Sequence, residues 1–379
     1  MEEGPLLAAY AKPARVAVVG AGLVGSTYAY TVLLLGLADE ICLIDVNRNK
    51  ARGQAMDLSH AVPFARRTTV WAGTMDDLKD AQVVMISAGV AQEPGQTRMD
   101  LLKKNAEIVG DIAEQAGQIG PGAVYLVTTN PVDLMSYVTM QRSRIAPSRV
   151  IGSGTALDTA RLRYLVGSRL GIDPRSVHAF VLGEHGDSEM VAWSRAQVAG
   201  TGLEDWLEMD DSERRSLEDD VRSAAYQVIR MKGATYYAIA LALARITEAV
   251  LKDSRTVFSV SAYLRGEYGI YGVYLGVPAV IGRDGVLRTI EVPLSRDELG
   301  KLQESGNVVR SALEALDLAR KRKAREPVGT GALEISSELL DRVPGSREET
   351  EGGGPRLDER RSCPRTLRPR PPTRRPKPI

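Results

Sequence analysis

Apolar residues fall along this chain in short, evenly spaced runs. Arg15 to Val19 is a β-branched run that leads straight into Gly20-Ala21-Gly22-Leu23-Val24-Gly25. From Leu23 to Leu35 the residues are mostly apolar and free of proline, which predicts a helix buried against a sheet, and Glu40 to Asp45 predicts a second strand. The alternation continues with strands at Arg67 to Trp71, Gln82 to Ser87 and Ala123 to Thr128, and helical segments at Asn47 to His60 and Met99 to Gln118. Strands alternating with helices predict an α/β fold with a doubly wound parallel sheet. Beyond Gly152 the rhythm changes: a helix over 155–170, a strand over 176–182, a long helical stretch over 212–252, a strand-rich block over 257–292 and a last helix over 296–322. The expected organisation is an N-terminal extension (1–13), a Rossmann domain (14–152), a second mixed α+β substrate domain (153–322) and a tail (323–379).

The first turn carries chemistry. Gly20, Gly22 and Gly25 fit GxGxxG, with Val24 inside it, and Asp45 follows at the end of the next strand. The glycines permit a tight turn and close approach to a pyrophosphate, the helix N-terminus adds partial positive charge, and the acid accepts from both ribose hydroxyls. Without the strand, helix and acid around it the motif would mean little. With them it predicts dinucleotide binding, and NAD in preference to NADP, since a 2′-phosphate would meet a like charge.

Other residues gather at the expected carboxyl edge. Thr128 to Asp133 closes a strand there, and Arg98 ends the Gly/Pro-containing segment after another, the kind of loop that seals a substrate from water. Asp158 and Arg161 are three apart and share a helix face, whereas Arg163 points elsewhere. His185 lies between Gly183 and Gly186 at the end of an apolar run, and a histidine can deliver and recover a proton near neutral pH. Taken alone, a histidine at a polar turn is ordinary. On an unbroken strand His178 and His185, seven apart, would face opposite sides, leaving Asp158, Arg161 and His185 on one side and Arg163 and His178 on the other.

Composition narrows the class. The chain has 379 residues, 44% of them hydrophobic, enough for two domains with substantial cores, and no apolar run reaches the roughly 20 residues that span a bilayer. No signal-peptide pattern opens it, and two cysteines, Cys42 and Cys363, make a structural disulfide improbable, so a reducing cytoplasm is expected. The net charge of +1 conceals a tail, 355–379, with nine Lys or Arg against Asp358 and Glu359, a local +7, which leaves the rest near −6 (1 minus 7). That tail has seven prolines and is expected to be disordered. A body that is not basic argues against nucleic acid as a partner.

These motifs, with Gln92 to Arg98, Thr129 to Val132, Gly183 to Asp187 and Gly233 to Tyr237, resemble the bacterial type of NAD-dependent L-lactate dehydrogenase, within the lactate/malate dehydrogenase family, in order over about 14–320. The resemblance implies that His185 is the proton donor to a 2-keto acid, Asp158 orients its imidazole, Arg161 grips the carboxylate and Arg98 polarises the carbonyl. It implies that Asn130, joined to Pro131 by a cis bond, contacts substrate and nicotinamide ribose, and that Thr235 and Ile239 line the pocket, Ile239 beside the cofactor. Gln92 speaks to specificity, because in this family that position is arginine in malate dehydrogenases and glutamine in most lactate dehydrogenases. A neutral amide would leave the second carboxylate of oxaloacetate unpaired. The expected reaction is therefore pyruvate to L-lactate, in glycolysis and fermentation. A malate dehydrogenase, a branched-chain 2-hydroxy acid dehydrogenase or an idle NAD-binding structural protein are the alternatives. The resemblance further implies a homotetramer activated by fructose 1,6-bisphosphate, bound by Arg163 and His178 from two subunits. The chemistry is coherent on its own terms: hydride reaching a ketone carbon leaves negative charge on oxygen that a cation and a proton donor must meet, and a planar guanidinium suits a carboxylate.

Overall fold

Neighbouring residues of the first strand face opposite ways, and both ways are covered. Val16 and Val18 join one apolar cluster with Ile41, Leu43, Val83 and Met85, and Ala17 and Val19 join another with Cys42, Val84, Ile86 and Tyr125. A strand buried on both faces carries no polar alternation, which is why these segments read as continuous apolar runs. The computed structural model describes residues 13–90 and 98–325, the side chains of Arg98 and of 318–325 excepted. Gln92 and the tail from 326 lie outside the described residues.

The first half contains β1 (Arg15–Val19), α1 (Leu23–Leu34), β2 (Glu40–Ile44), α2 (Arg48–Ala61), β3 (Thr69–Ala72), β4 (Val83–Ile86), α3 (Arg98–Ile119), β5 (Val124–Val127), α4 (Val132–Ser143) and β6 (Val150–Gly152). All six strands are parallel, in the order β3-β2-β1-β4-β5-β6. The order reverses between β1 and β4, and the carboxyl ends at such a switch point form the crevice where dinucleotides bind. The pattern of apolar positions did not announce α4. It is buried nearly all round, including Val132, Asp133, Met135, Ser136 and Thr139, so it has no polar stripe to set its period.

The second half adds α5 (Ala156–Leu170), β7 (Val177–His178), β8 (Val181–Leu182), β9 (Met190–Val191), β10 (Gln197–Val198), β11 (Thr201–Gly202), α6 (Asp211–Lys232), α7 (Tyr237–Lys252), β12 (Thr256–Arg265), β13 (Tyr271–Gly282), β14 (Gly285–Thr289) and α8 (Arg296–Arg325). The meander β12-β13-β14 continues the parallel sheet, because β12 pairs antiparallel with β6 through Ser261 and Gly152. The result is a nine-stranded mixed sheet flanked by helices.

Two expectations need correction. The strand over 176–182 is not continuous: β7 pairs with β10 in one small sheet and β8 with β9 in another, so the chain changes sheets at Ala179 and Phe180. The parity argument for His178 and His185 therefore loses its premise, since the two residues belong to different pieces. The helical stretch over 212–252 is two helices, because Gly233 turns left-handed (φ +86°) and ends α6. The last helix runs to Arg325, three residues beyond the expected end.

Candidate active site

The glycine turn after β1 is built for a close ligand. Gly20 has φ +106°, and a Cβ there would sit 2.6 Å from the backbone nitrogen of Ala88. A Cβ on Gly25 would fall 1.9 Å from the Gly20 carbonyl oxygen, so α1 packs against the turn only as glycine. Val24 follows Leu23 in the first turn of α1. Asp45 at the end of β2 accepts from the Ala21 N–H at 2.8 Å and the Asn47 N–H at 2.9 Å, which fixes its carboxylate beside the turn. Gly20, Gly22, Asp45, Ser87 and Gly89 line one cleft of about 790 Å³. Its size, the glycine cradle and the fixed acid fit a dinucleotide with its ribose on Asp45.

At the same edge the structure brings Asp158, Arg161 and His185 together. Asp158 is buried in the first turn of α5. Its Oδ2 lies 2.7 Å from His185 Nδ1 and its Oδ1 takes a hydrogen bond from Arg161 Nη1 at 2.6 Å. One carboxylate thus orients both side chains, at the helix spacing the sequence implies. Burial pushes the His185 imidazole down, but the charge and hydrogen bond of Asp158, with Glu189 and Asp133 behind, outweigh it and raise the group to about 9. Burial likewise would raise Asp158, yet His185 and then Arg161 hold it below the usual carboxylate range. His185 therefore favours the protonated form at neutral pH, with Nε2 free of this pairing.

Backbone anchors aim the ring. Gly183, at φ +102°, exchanges two hydrogen bonds with Gly276 of β13, both 2.9 Å, and the Glu184 N–H donates to Ser305 of α8 at 2.8 Å. The His185 N–H donates to Asp133 Oδ2 at 2.9 Å, and Ser261 donates to the other oxygen at 2.5 Å. Burial is the larger influence on Asp133 and pushes it up to about 6. Sequence reasoning missed Asp133, Ser261, Gly276, Ser305 and Glu189. Only Asp133 left a signal, as an acid in the stretch that closes β5 at the carboxyl edge.

Asn130 is exposed at that edge, its carbonyl accepting from Asn105 Nδ2 at 3.0 Å, and its bond to Pro131 is cis. Arg98 opens α3. Thr235 lies in the link between α6 and α7, and Ile239 in the first turn of α7, the helix packed on α1. Arg163 does not join the Asp158 group. Its Nε donates to the Ala179 carbonyl at 3.1 Å and its guanidinium lies over Phe180, with burial lowering its pKa. That carbonyl is next in the chain to His178, which is exposed on β7. Among the described residues the Arg163 guanidinium therefore meets a carbonyl and an aromatic face rather than a carboxylate.

The chain's likeness to known proteins extends over nearly all of the described residues. The family model described as lactate/malate dehydrogenase, NAD binding domain, matches residues 14–152, and the one described as lactate/malate dehydrogenase, alpha/beta C-terminal domain, matches 155–317. An L-lactate dehydrogenase of Thermoanaerobacter sp. is 42% identical over 309 residues, 80% of this chain and 99% of the relative. L-lactate dehydrogenase 2 of Bacillus cereus is 47% identical over 304 residues, 79% of this chain and 97% of the relative. Among solved structures, the ligand-bound minor L-lactate dehydrogenase of Enterococcus mundtii superimposes with a TM-score of 0.78 at 40% identity, covering 80% of this chain and 98% of its own.

Proposed function

The chain belongs to the lactate/malate dehydrogenase family, and from that premise we propose which residues carry its reaction. It is an NAD-dependent L-lactate dehydrogenase, interconverting pyruvate and L-lactate. His185 gives its proton to the carbonyl oxygen of pyruvate, and a nicotinamide held in the cleft would supply hydride to the adjacent carbon. Arg98 polarises that carbonyl and Arg161 holds the substrate carboxylate, with Asn130 and Thr235 completing the pocket. Gly20, Gly22, Val24, Gly25, Asp45, Asn130 and Ile239 hold the cofactor. The observation that carries this reading is the Asp158 carboxylate bonded on one oxygen to His185 Nδ1 and on the other to Arg161.

Each role has a physical reason. Negative charge develops on the pyruvate oxygen, and a protonated imidazole held by a buried carboxylate meets it without reorganising. Asp158 fixes the tautomer that presents Nε2. Arg161 commits one N–H to Asp158 and keeps four for the substrate, enough for a two-bond grip on a carboxylate. We take 14–152 as the cofactor domain and 153–322 as the substrate domain, joined by a common sheet.

Assembly belongs to the same proposal. Leu23, Tyr30 and Leu34 on α1, Met56 on α2 and Tyr237 and Leu241 on α7 are exposed, and so much apolar surface on neighbouring helices favours covering by further copies of the chain, up to a tetramer. Arg163 and His178 from two subunits would then form the anion site for fructose 1,6-bisphosphate. No helix among the described residues is long and apolar enough to cross a membrane, and the buried free Cys42 agrees with work in the cytoplasm.

The test compares pyruvate, oxaloacetate and 2-ketoisocaproate with NADH, for wild type and Gln92→Arg. Pyruvate should be the best substrate of the wild type, and the substitution should move preference toward oxaloacetate. A wild type faster on oxaloacetate or 2-ketoisocaproate would overturn the assignment.

A further inference from the structure

Glu189 is a buried acid at this site to which the reaction assigns no task. It follows His185 by four residues, just before β9, and is 7% exposed. A carboxyl oxygen of Glu189, one of Asp158 and a ring nitrogen of His185 all lie within 4.8 Å of one another. Two carboxylates so close and so dry cannot both be charged cheaply, so one keeps a proton. Asp158 has the stronger claim to the charge, because it bonds the imidazole and the Arg161 guanidinium directly. The proton then falls to Glu189, where burial first and the Asp158 charge second push the group up to about 8.

We propose that Glu189 is a positioning residue for the proton step, a second counter-charge that is neutral while Asp158 alone holds the His185 imidazolium and becomes an anion as the solution turns alkaline. The neutral acid leaves the Asp158–His185 pair undisturbed in the neutral range. Once ionised, Glu189 adds a negative charge beside the ring and keeps it protonated to higher pH. Pyruvate reduction, which needs imidazolium, is thereby extended on the alkaline side, and lactate oxidation, which needs neutral imidazole, begins at a higher pH than Asp158 alone would set. The Glu189 proton comes from water and returns to it, so the stoichiometry of the reaction is unchanged.

The surrounding charges leave room for this. From α5 come Asp158 and Arg161, from α6 comes Arg222, and from the loop comes His185. Arg222 also steadies the segment, donating from Nη2 to the Glu189 carbonyl at 3.4 Å and from Nη1 to Asp219 at 2.8 Å. Asp133 of α4 is committed to Ser261 and the His185 N–H. Glu298, the buried acid of α8, which packs on β9, is committed to Ser194 and Ser295.

The inference rests on His185 as the acid, and the experiment separates the two. The pH dependence of kcat/KM would be measured from pH 6 to 10, for pyruvate reduction and lactate oxidation, in wild type, Glu189→Gln, Glu189→Asp, Glu189→Ala and His185→Ala. A unit charge within about 5 Å, at an effective dielectric between those of water and a protein surface, moves a titration by on the order of one pH unit. Glu189→Gln, an isostere of the neutral acid, should keep the wild-type rate near pH 6 while the alkaline limb of reduction and the acid limb of oxidation both move down by about that much. Glu189→Ala should move the limbs the same way, and Glu189→Asp should keep them near wild type. Limbs of Glu189→Gln and Glu189→Ala that coincide with the wild type, whether or not the rate falls uniformly, would overturn the inference and leave Glu189 as packing. Activity surviving in His185→Ala would instead remove the acid assignment on which it stands.

Discussion

Asp158→Asn removes one charge and almost no volume, and the geometry sets what it should cost. Asp158 holds His185 Nδ1 at 2.7 Å and Arg161 at 2.6 Å, and it is the chief reason the imidazole is raised to about 9 despite burial. Against an ordinary histidine near 6.5, that elevation is worth roughly 3 kcal/mol of preference for the imidazolium, at about 1.4 kcal/mol per pKa unit. With the charge gone the imidazole loses its main counterweight to burial, and although Glu189, relieved of the Asp158 charge, ionises more readily and takes over part of that role, the ring should titrate well below 9 and close to its ordinary value. At pH 7.5 the protonated fraction then falls from nearly all to about one in ten or less, a tenfold loss of pyruvate reduction from protonation alone. The amide can also turn its NH2 toward Nδ1 and favour the wrong tautomer, and the imidazole loses its anchor, which brings the expected loss in kcat/KM to the order of 100- to 1000-fold. Arg161 loses its anionic partner too, so the apparent KM for pyruvate should rise. The assay is NADH oxidation from pH 5.5 to 9.5, with NADH binding followed by fluorescence. Binding should be intact, because the glycine turn and Asp45 are untouched. An alkaline limb that stays near 9, or a loss under threefold at pH 7.5, would refute the assignment of Asp158.

Gly25→Ala puts a methyl 1.9 Å from the Gly20 carbonyl, so the turn must shift and NADH affinity should fall at least tenfold, read by fluorescence titration; unchanged affinity would remove the turn from the cofactor site. Millimolar fructose 1,6-bisphosphate should lower the apparent KM for pyruvate in the wild type near pH 6 to 7 and have little effect in Arg163→Gln with His178→Ala, whereas activation that survives both substitutions would place the anion elsewhere. Thermal stability should fall between about pH 5 and 9, measured by calorimetry at constant ionic strength. The sign follows from three raised groups, Asp133 at about 6, Glu189 at about 8 and His185 at about 9. Each binds a proton in the folded chain that the unfolded chain has already released, so their stabilisation is present below the ordinary value and lost as pH rises through the folded one. Stability that climbs across that window would contradict the burial of Asp133 and Glu189 and the pairing of His185 with Asp158.

How much of this was open to the sequence depended on how local each signal is. The glycine turn, the acid after β2 and the spacing of Asp158 and Arg161 each depend on a few consecutive residues whose conformation follows from covalent geometry and helical period, so the turn with Asp45 beside it and the Asp158–Arg161 pairing were legible. The alternation of apolar runs likewise determined the parallel sheet, because β1, β2, β4, β5 and β6 are covered on both faces and only the edge strand β3 is not. Pairings between distant segments were different. Nothing near residue 185 says that Asp133 holds its backbone, that Gly276 and Ser305 fix the loop before it, or that Glu189 comes within 4.8 Å of Asp158. The break between β7 and β8 is of the same kind, since it exists because β10 and β9 stand at two different edges, and the apolar pattern of 176–182 is compatible with one strand or two. The sequence by itself determined the groups whose signals are local, Asp158, Arg161 and His185; the tertiary structure decided which remote groups surround them and their charge states, because burial and neighbouring charge, which exist only once remote segments have packed, set which acid keeps its proton.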